Sequence, residues 1–330
     1  MNISVIGGGA WGTTLANMFA KSGLNTKLWV REREVMAEIA SKRVNTWYLP
    51  DVMLDESLEI VNEPELAVKD CENFLFAVPS QFFRSVLMSF REHLPKKAVC
   101  ICANKGIELE TLMTMSEVTE DVLSSLKPRF AMLSGPSFAF EVAREQPSAV
   151  TLGCEDKKTA RELQEGLTNN YFRIYTNQDV RGVELGGAIK NVIAIAAGIS
   201  DGLGFGTNAR AALITRGLAE MSRMGKAMGA KPETFHGLSG MGDLVLTCTG
   251  ELSRNRQVGL RLGKGQKLMD ILREMKAVAE GVKTTEALRG LGEKHGVDMP
   301  ITEEVYQVLH NDKDATRAVF ELMTRELKSE

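Results

Sequence analysis

The chain has 330 residues, 44% of them hydrophobic and 25% charged, and a formal net charge of −3 at pH 7. That length suits two domains and the composition suits a soluble globular protein. The near-neutral charge gives no basic field for nucleic acid or an anionic membrane. The apolar stretch Val192 to Ile199, between Lys190 and Asp201, falls short of the roughly 18 residues a membrane span needs, so no span is expected. Asn2-Ile3-Ser4-Val5-Ile6 opens the chain without the basic and cleavable apolar regions of a secretory signal. Five cysteines (Cys71, Cys100, Cys102, Cys154, Cys248) without a Cys-x-x-Cys suit reduced thiols and a cytoplasmic location, and four scattered histidines predict no metal site.

In chain order, residues 2–6 read as a buried strand ending at Gly7, and Ala10 to Ser22 as a helix stopped by Gly23. Thr26 to Val30 reads as a second strand. Phe74 to Val78, Val99 to Ala103, Ala131 to Leu133, Ala149 to Leu152 and Phe172 to Tyr175 follow, with helical patterns between. Strands alternating with helices predict an α/β Rossmann-like domain with a mostly parallel sheet. From about Val180 the period is helical: Leu185, Ile189, Val192, Ile193 and Ala196, then Leu213, Leu218 and Met221, then Leu288, Leu291, Val305 and Leu309. The expected organisation is a dinucleotide-binding domain over 1–180 and an all-helical substrate domain over 181–330.

Gly7-Gly8-Gly9-Ala10-Trp11-Gly12 is a Gly-x-Gly-x-x-Gly between that first strand and helix. Such a turn brings backbone and a helix N-terminus close to a diphosphate, Gly7 making the turn, Gly9 the approach and Gly12 the helix packing; it can also be only a turn. At the end of the second strand Trp29-Val30-Arg31-Glu32-Arg33 offers two arginines where an NAD-specific site usually has an acid. They suit a 2′-phosphate, or are solvated loop residues; the first reading favours NADPH over NADH.

Lys190 and Asn191 lie inside an otherwise apolar helix, Leu185 to Ile195. The lysine either snorkels to solvent or sits in a cleft where burial tunes it for acid–base chemistry. Asn104-Lys105-Gly106 and Ser134-Gly135-Pro136-Ser137 each follow a strand end, where ligands of open α/β sheets bind. Ser253-Arg254-Asn255-Arg256, after Gly240-Met241-Gly242-Asp243, combines arginine, hydroxyl and amide as a phosphate site does. Each of these is also readable as a loop or a cap, Ser253 and Asp243 included.

Glycine makes up 30 residues, 21 of them after residue 181. There it is unfavourable in helices, and its clusters (Gly182, Gly186, Gly187; Gly198, Gly202, Gly204, Gly206; Gly237, Gly240, Gly242) flank Lys190 and Asp243. The expectation is helices whose backbones come close around a small charged substrate.

Together these segments, with Glu280-Gly281 and Met299-Pro300-Ile301-Thr302, resemble the bacterial-type NAD(P)-dependent sn-glycerol-3-phosphate dehydrogenases over nearly the whole chain. The resemblance implies hydride transfer between NAD(P)H and dihydroxyacetone phosphate, giving sn-glycerol 3-phosphate for glycerophospholipids. It implies Lys190 as proton donor and acceptor. Lys105, Gly135, Ser137, Asp243, Ser253, Arg254 and Asn255 would line the substrate site. Ala10, Trp11, Arg31, Lys105, Ala139, Arg254, Val278 and Glu280 would contact the cofactor, beside Gly7, Gly9 and Gly12. The family often has a serine at the position of Ala10 and another aromatic at Trp11, so backbone contacts are expected there. A homodimer is compatible with the sequence but not required by it. Two other readings are a β-hydroxyacid or 6-phosphogluconate-type dehydrogenase, which the Ser253-Arg254-Asn255 cluster disfavours, and a non-catalytic nucleotide sensor, which would not need Lys190, Lys105 and Arg254 together.

Overall fold

The structure is a computed structural model and describes residues 1–275 and 279–327. The chain divides into two compact units: Met1–Lys105 with Met113–Glu184, and Gly106–Leu112 with Leu185–Glu330.

The first unit holds β1 (Asn2–Ile6), α1 (Ala10–Lys21), β2 (Asn25–Trp29), α2 (Arg33–Lys42), β3 (Val44–Asn45), β4 (Leu49–Met53), β5 (Glu59–Val61), α3 (Pro64–Val68), β6 (Asn73–Phe76), α4 (Ser80–Phe90), β7 (Val99–Cys102), α5 (Met115–Leu123), β8 (Arg129–Ser134), α6 (Ala139–Ala143), β9 (Ser148–Gly153), α7 (Lys157–Leu167) and β10 (Phe172–Asn177). Eight strands form one sheet in the order β10-β9-β8-β7-β6-β1-β2-β5, parallel except where β8 meets β9. Because both faces are covered, strand side chains feed two cores. Ile3, Val5, Leu75 and Ile101 enter one; Ile6, Phe74, Phe76 and Cys100 enter the other. β3 and β4 make a separate antiparallel pair. These two and β5 are absent from the sequence pattern. β3 has two residues, β5 three, and β4 carries Pro50 and Asp51, the latter at φ 65°.

The second unit begins inside α8 (Val180–Gly202) and continues with α9 (Thr207–Ala227), α10 (Asp243–Thr249), α11 (Arg254–Gly263), α12 (Leu268–Glu274), α13 (Glu280–His295), α14 (Pro300–His310) and α15 (Ala315–Met323). A π-helical turn, Leu238–Gly242, leads into α10. No strand occurs in it among the described residues. α8 is longer than its apolar stretch 192–199 suggested: its 23 residues are long and apolar enough to cross a membrane. All of its apolar window is buried inside the protein, which identifies a core helix.

The helical glycines work in pairs. A Cβ on Gly198 would overlap the Arg256 carbonyl oxygen, and one on Gly259 the Ile195 carbonyl oxygen. Gly202 and Gly263 are likewise each closed by backbone of the other helix. α8 and α11 therefore cross at backbone contact, which only glycine permits. On Gly186 a Cβ would stand 2.5 Å from the Ser239 carbonyl oxygen, so α8 also touches the π-helical turn. Gly204 and Gly206 differ from the expectation: nothing lies within 4 Å of either Cβ position, and Gly204 has φ +82°, so they serve the α8–α9 turn rather than close packing.

Candidate active site

The glycine turn is built from backbone. Gly7 has φ +125°, and a Cβ there would stand 2.6 Å from the Ala77 carbonyl oxygen. A Cβ on Gly12 would overlap the Gly7 carbonyl oxygen, so α1 can start against β1 only with glycine at that position. Gly9 precedes α1 in an extended conformation, and nothing lies within 4 Å of its Cβ position. The first N–H groups of a helix have no partner within it and carry its positive dipole end. An open cradle of amides at Gly9, Ala10 and Trp11 fits a diphosphate. Trp11 is half-buried, its ring 6.5 Å from that of Phe172.

The β2–α2 loop separates the two arginines. Arg31 is exposed, its Nε 3.6 Å from the Glu32 carboxylate. Arg33 is engaged by Asn62 Oδ1 at 3.3 Å and Glu63 at 3.4 Å. Asn62 also donates to the carbonyls of Val30 (2.6 Å) and Arg31 (2.9 Å), which fixes the loop and leaves both arginine side chains exposed.

At the strand ends Lys105 Nζ and Ser137 Oγ both donate to the Gly135 carbonyl, each at 2.9 Å. Gly135 has φ +134°, and a Cβ would stand 3.0 Å from the backbone of Val150. The structure thus brings Lys105 to Gly135, 30 positions along the chain, and to the neighbouring Ser137. Ala139 opens α6, and its carbonyl accepts from Thr14 Oγ1 on α1 at 3.3 Å.

In the helical unit Lys190 is 6% exposed, which removes the snorkelling alternative. Its Nζ donates to Asp243 Oδ1 at 2.5 Å and to Thr247 Oγ1 at 2.9 Å. Asp243 is fully buried. A buried ion pair is sustained only by close geometry and further hydrogen bonds, and here Thr247 supplies one. Its hydroxyl donates to the Asp243 carbonyl at 2.6 Å, so its oxygen accepts from Lys190. The sequence does not single out Thr247; its signal was the four-residue spacing from Asp243 on one helix face.

Ser253 is the N-cap of α11, its Oγ accepting from Arg256 N at 3.2 Å. Arg254 begins the helix and is exposed. Arg256 is committed elsewhere, with Asp201 at 2.7 Å. Asn255 Nδ2 donates to Asn191 Oδ1 at 2.9 Å, and Gly281 N donates to Asn255 Oδ1 at 2.9 Å. This chain ties α8, α11 and the start of α13, where Glu280 is the first residue. Val278 lies outside the described residues.

Three buried acids are not cofactor or substrate candidates. Glu184 accepts from Ser116 N (2.7 Å) and Oγ (2.6 Å) at the start of α5, and burial pushes it up to about 7. Glu220 accepts from Ile301 N at 2.5 Å and Thr302 Oγ1 at 3.1 Å at the start of α14, and burial pushes it up to about 7. Asp201 joins Arg256 to Arg210. No group of three or more His, Cys, Asp or Glu suited to a metal occurs among the described residues.

The sheet with its glycine turn and the helical unit with its buried lysine define an α/β dinucleotide-binding protein joined to a helical domain, the architecture of a dinucleotide-dependent oxidoreductase. The family model of the NAD-dependent glycerol-3-phosphate dehydrogenase N-terminus matches residues 2–160, and that of its C-terminus residues 179–320. The chain belongs to this family. A glycerol-3-phosphate dehydrogenase [NAD(P)+] of Solidesulfovibrio magneticus is 67% identical over 330 residues, all of both chains. One from Maridesulfovibrio salexigens is 58% identical with the same coverage. The crystal structure of glycerol-3-phosphate dehydrogenase from Coxiella burnetii superposes with a TM-score of 0.95 at 40% identity, over 98% of this chain and 99% of that one.

Proposed function

We propose that the protein is an NAD(P)-dependent oxidoreductase that reversibly converts dihydroxyacetone phosphate to sn-glycerol 3-phosphate, the precursor of glycerophospholipids. Family membership supports the reaction. The observation that carries the chemistry is the buried ammonium of Lys190, held between Asp243 and Thr247.

When bound, the nicotinamide supplies or accepts the hydride. As the carbonyl of the substrate is reduced, negative charge grows on its oxygen. Lys190 stabilises that charge and gives up a proton from Nζ; in the reverse direction it takes the hydroxyl proton. Asp243 and Thr247 aim Nζ and keep its position fixed, an orientation effect. Arg254, Ser253 and the amides that open α11 bind the phosphate: the Ser253 oxygen accepts from Arg256 N and its hydrogen remains to donate. Asn255 fixes α11 through Asn191 and Gly281. Lys105, Gly135 and Ser137 are further substrate contacts. Gly7, Gly9, Ala10, Trp11 and Gly12 hold the diphosphate through backbone, with Ala139, Val278 and Glu280 as further cofactor contacts. Arg31 reads a 2′-phosphate and gives a preference for NADPH over NADH. A cytoplasmic location and a homodimer complete the reading.

Absorbance of NADPH followed with and without dihydroxyacetone phosphate tests the reaction. Oxidation only in the presence of this substrate supports it; absence of oxidation with it overturns the proposal.

A further inference from the structure

Asn45 is fully buried, although it ends the two-residue strand β3 and is followed by the exposed Thr46 and Trp47. Every polar atom of its side chain is matched. Nδ2 donates to the Gly8 carbonyl and to Thr13 Oγ1, both at 2.8 Å, and Oδ1 accepts from Tyr48 N at 3.2 Å. Thr13 Oγ1 closes the ring by donating to the same Gly8 carbonyl at 3.2 Å. A turn that points its amides toward a diphosphate must point a carbonyl the other way. That carbonyl is buried and needs donors. α1 itself supplies only Thr13; the second donor comes from 37 residues along the chain.

We infer that Asn45 is a positioning residue for the dinucleotide, acting through the Gly8 carbonyl to hold the Gly7–Gly12 turn in its binding conformation. The inference deepens the proposed function and rests on its reading of the turn as the diphosphate site. A turn already fixed by Asn45 and Thr13 loses less freedom when the cofactor binds, and so binds more tightly. The contact is to backbone common to both dinucleotides, so the effect falls equally on NADPH and NADH. An aspartate at position 45 would place a carboxylate oxygen against the Gly8 carbonyl, so Asn45→Asp damages binding more than Asn45→Ala.

The test is the dissociation constant of NADPH and of NADH, measured by titration calorimetry on the full chain, for wild type, Asn45→Ala and Thr13→Ala. Steady-state kinetics and Tm are measured in parallel. Asn45→Ala is expected to weaken both cofactors by about tenfold, with KM for dihydroxyacetone phosphate at saturating cofactor changed by less than about twofold. Thr13→Ala, which opens the ring from the other side, weakens both in the same way, and the double variant is no worse than about the stronger single one. A purely structural role would lower Tm and leave the dissociation constants alone; that result, or unchanged binding in Thr13→Ala if Asn45→Ala does not fold, overturns the inference. If wild type binds NADPH and the variants bind it weakly, yet no protein oxidises it with dihydroxyacetone phosphate, the positioning role stands and the proposed reaction fails.

Discussion

The two units use glycine in opposite ways. At Gly9, before α1, the space a side chain would fill is open, and the missing Cβ makes room for something outside the chain. At Gly198 and Gly259 that space is already occupied by the backbone of the facing helix. The α/β unit thus leaves open space before a helix N-terminus, and the helical unit uses its glycines to bring α8 and α11 into backbone contact, while α8 and α10 meet through Lys190, Asp243 and Thr247. In the proposed function the diphosphate is held by a turn with almost no side chains, and the proton transfer is carried by three buried ones.

Five substitutions probe that division, from the largest expected effect to the smallest. Lys190→Ala is expected to lower turnover at least about a hundredfold. Gly198→Ala forces a methyl group into the α8–α11 crossing; it is expected to destabilise the chain by about 1–3 kcal/mol in denaturant unfolding, with little change in NADPH affinity. An unchanged midpoint would mean that the helices are not locked at this contact. Arg31→Ala is expected to reduce the preference for NADPH over NADH by about tenfold, measured as a ratio of kcat/KM values. A ratio that does not move removes Arg31 from cofactor selection.

The smallest effect concerns pH. Burial holds Glu184 and Glu220 at about 7 in the folded chain against 4.5 for a solvated glutamate, so the folded state binds more protons than the unfolded one between these values. Their contribution to stability is full below about 4.5 and is lost as pH rises through 7. Glu184→Gln and Glu220→Gln are therefore each expected to shallow the fall in Tm from pH 5 to pH 8. A shift in Tm that is the same at every pH would contradict this.

How much of this the sequence carried depended on range. β1, α1 and the five long inner strands were legible because each is a continuous apolar run or a helix closed by a glycine. Lys190 was legible because a cation stands out in an apolar helix. β3 to β5 were not, being short and, in β4, broken by Pro50. The passage of 106–112 into the helical unit was equally hidden, since no local pattern records which core a loop joins. The contacts of Arg33 with Asn62 and Glu63, and of Arg31 with Glu32, were likewise out of reach of the sequence, since Asn62 and Glu63 lie some 30 residues away. Asn45 carried no signal at all: its partners Gly8 and Thr13 are more than 30 residues away and are met only through the fold.

In the proposed function the glycine turn of the α/β unit holds the dinucleotide diphosphate and Lys190 of the helical unit transfers the proton, and Lys190→Ala measures both tasks at once. The account predicts single-turnover oxidation of NADPH by dihydroxyacetone phosphate slowed at least about a hundredfold, with the NADPH dissociation constant within about twofold of wild type. Near-normal turnover in this variant, or a loss of activity explained by lost NADPH binding, would contradict it.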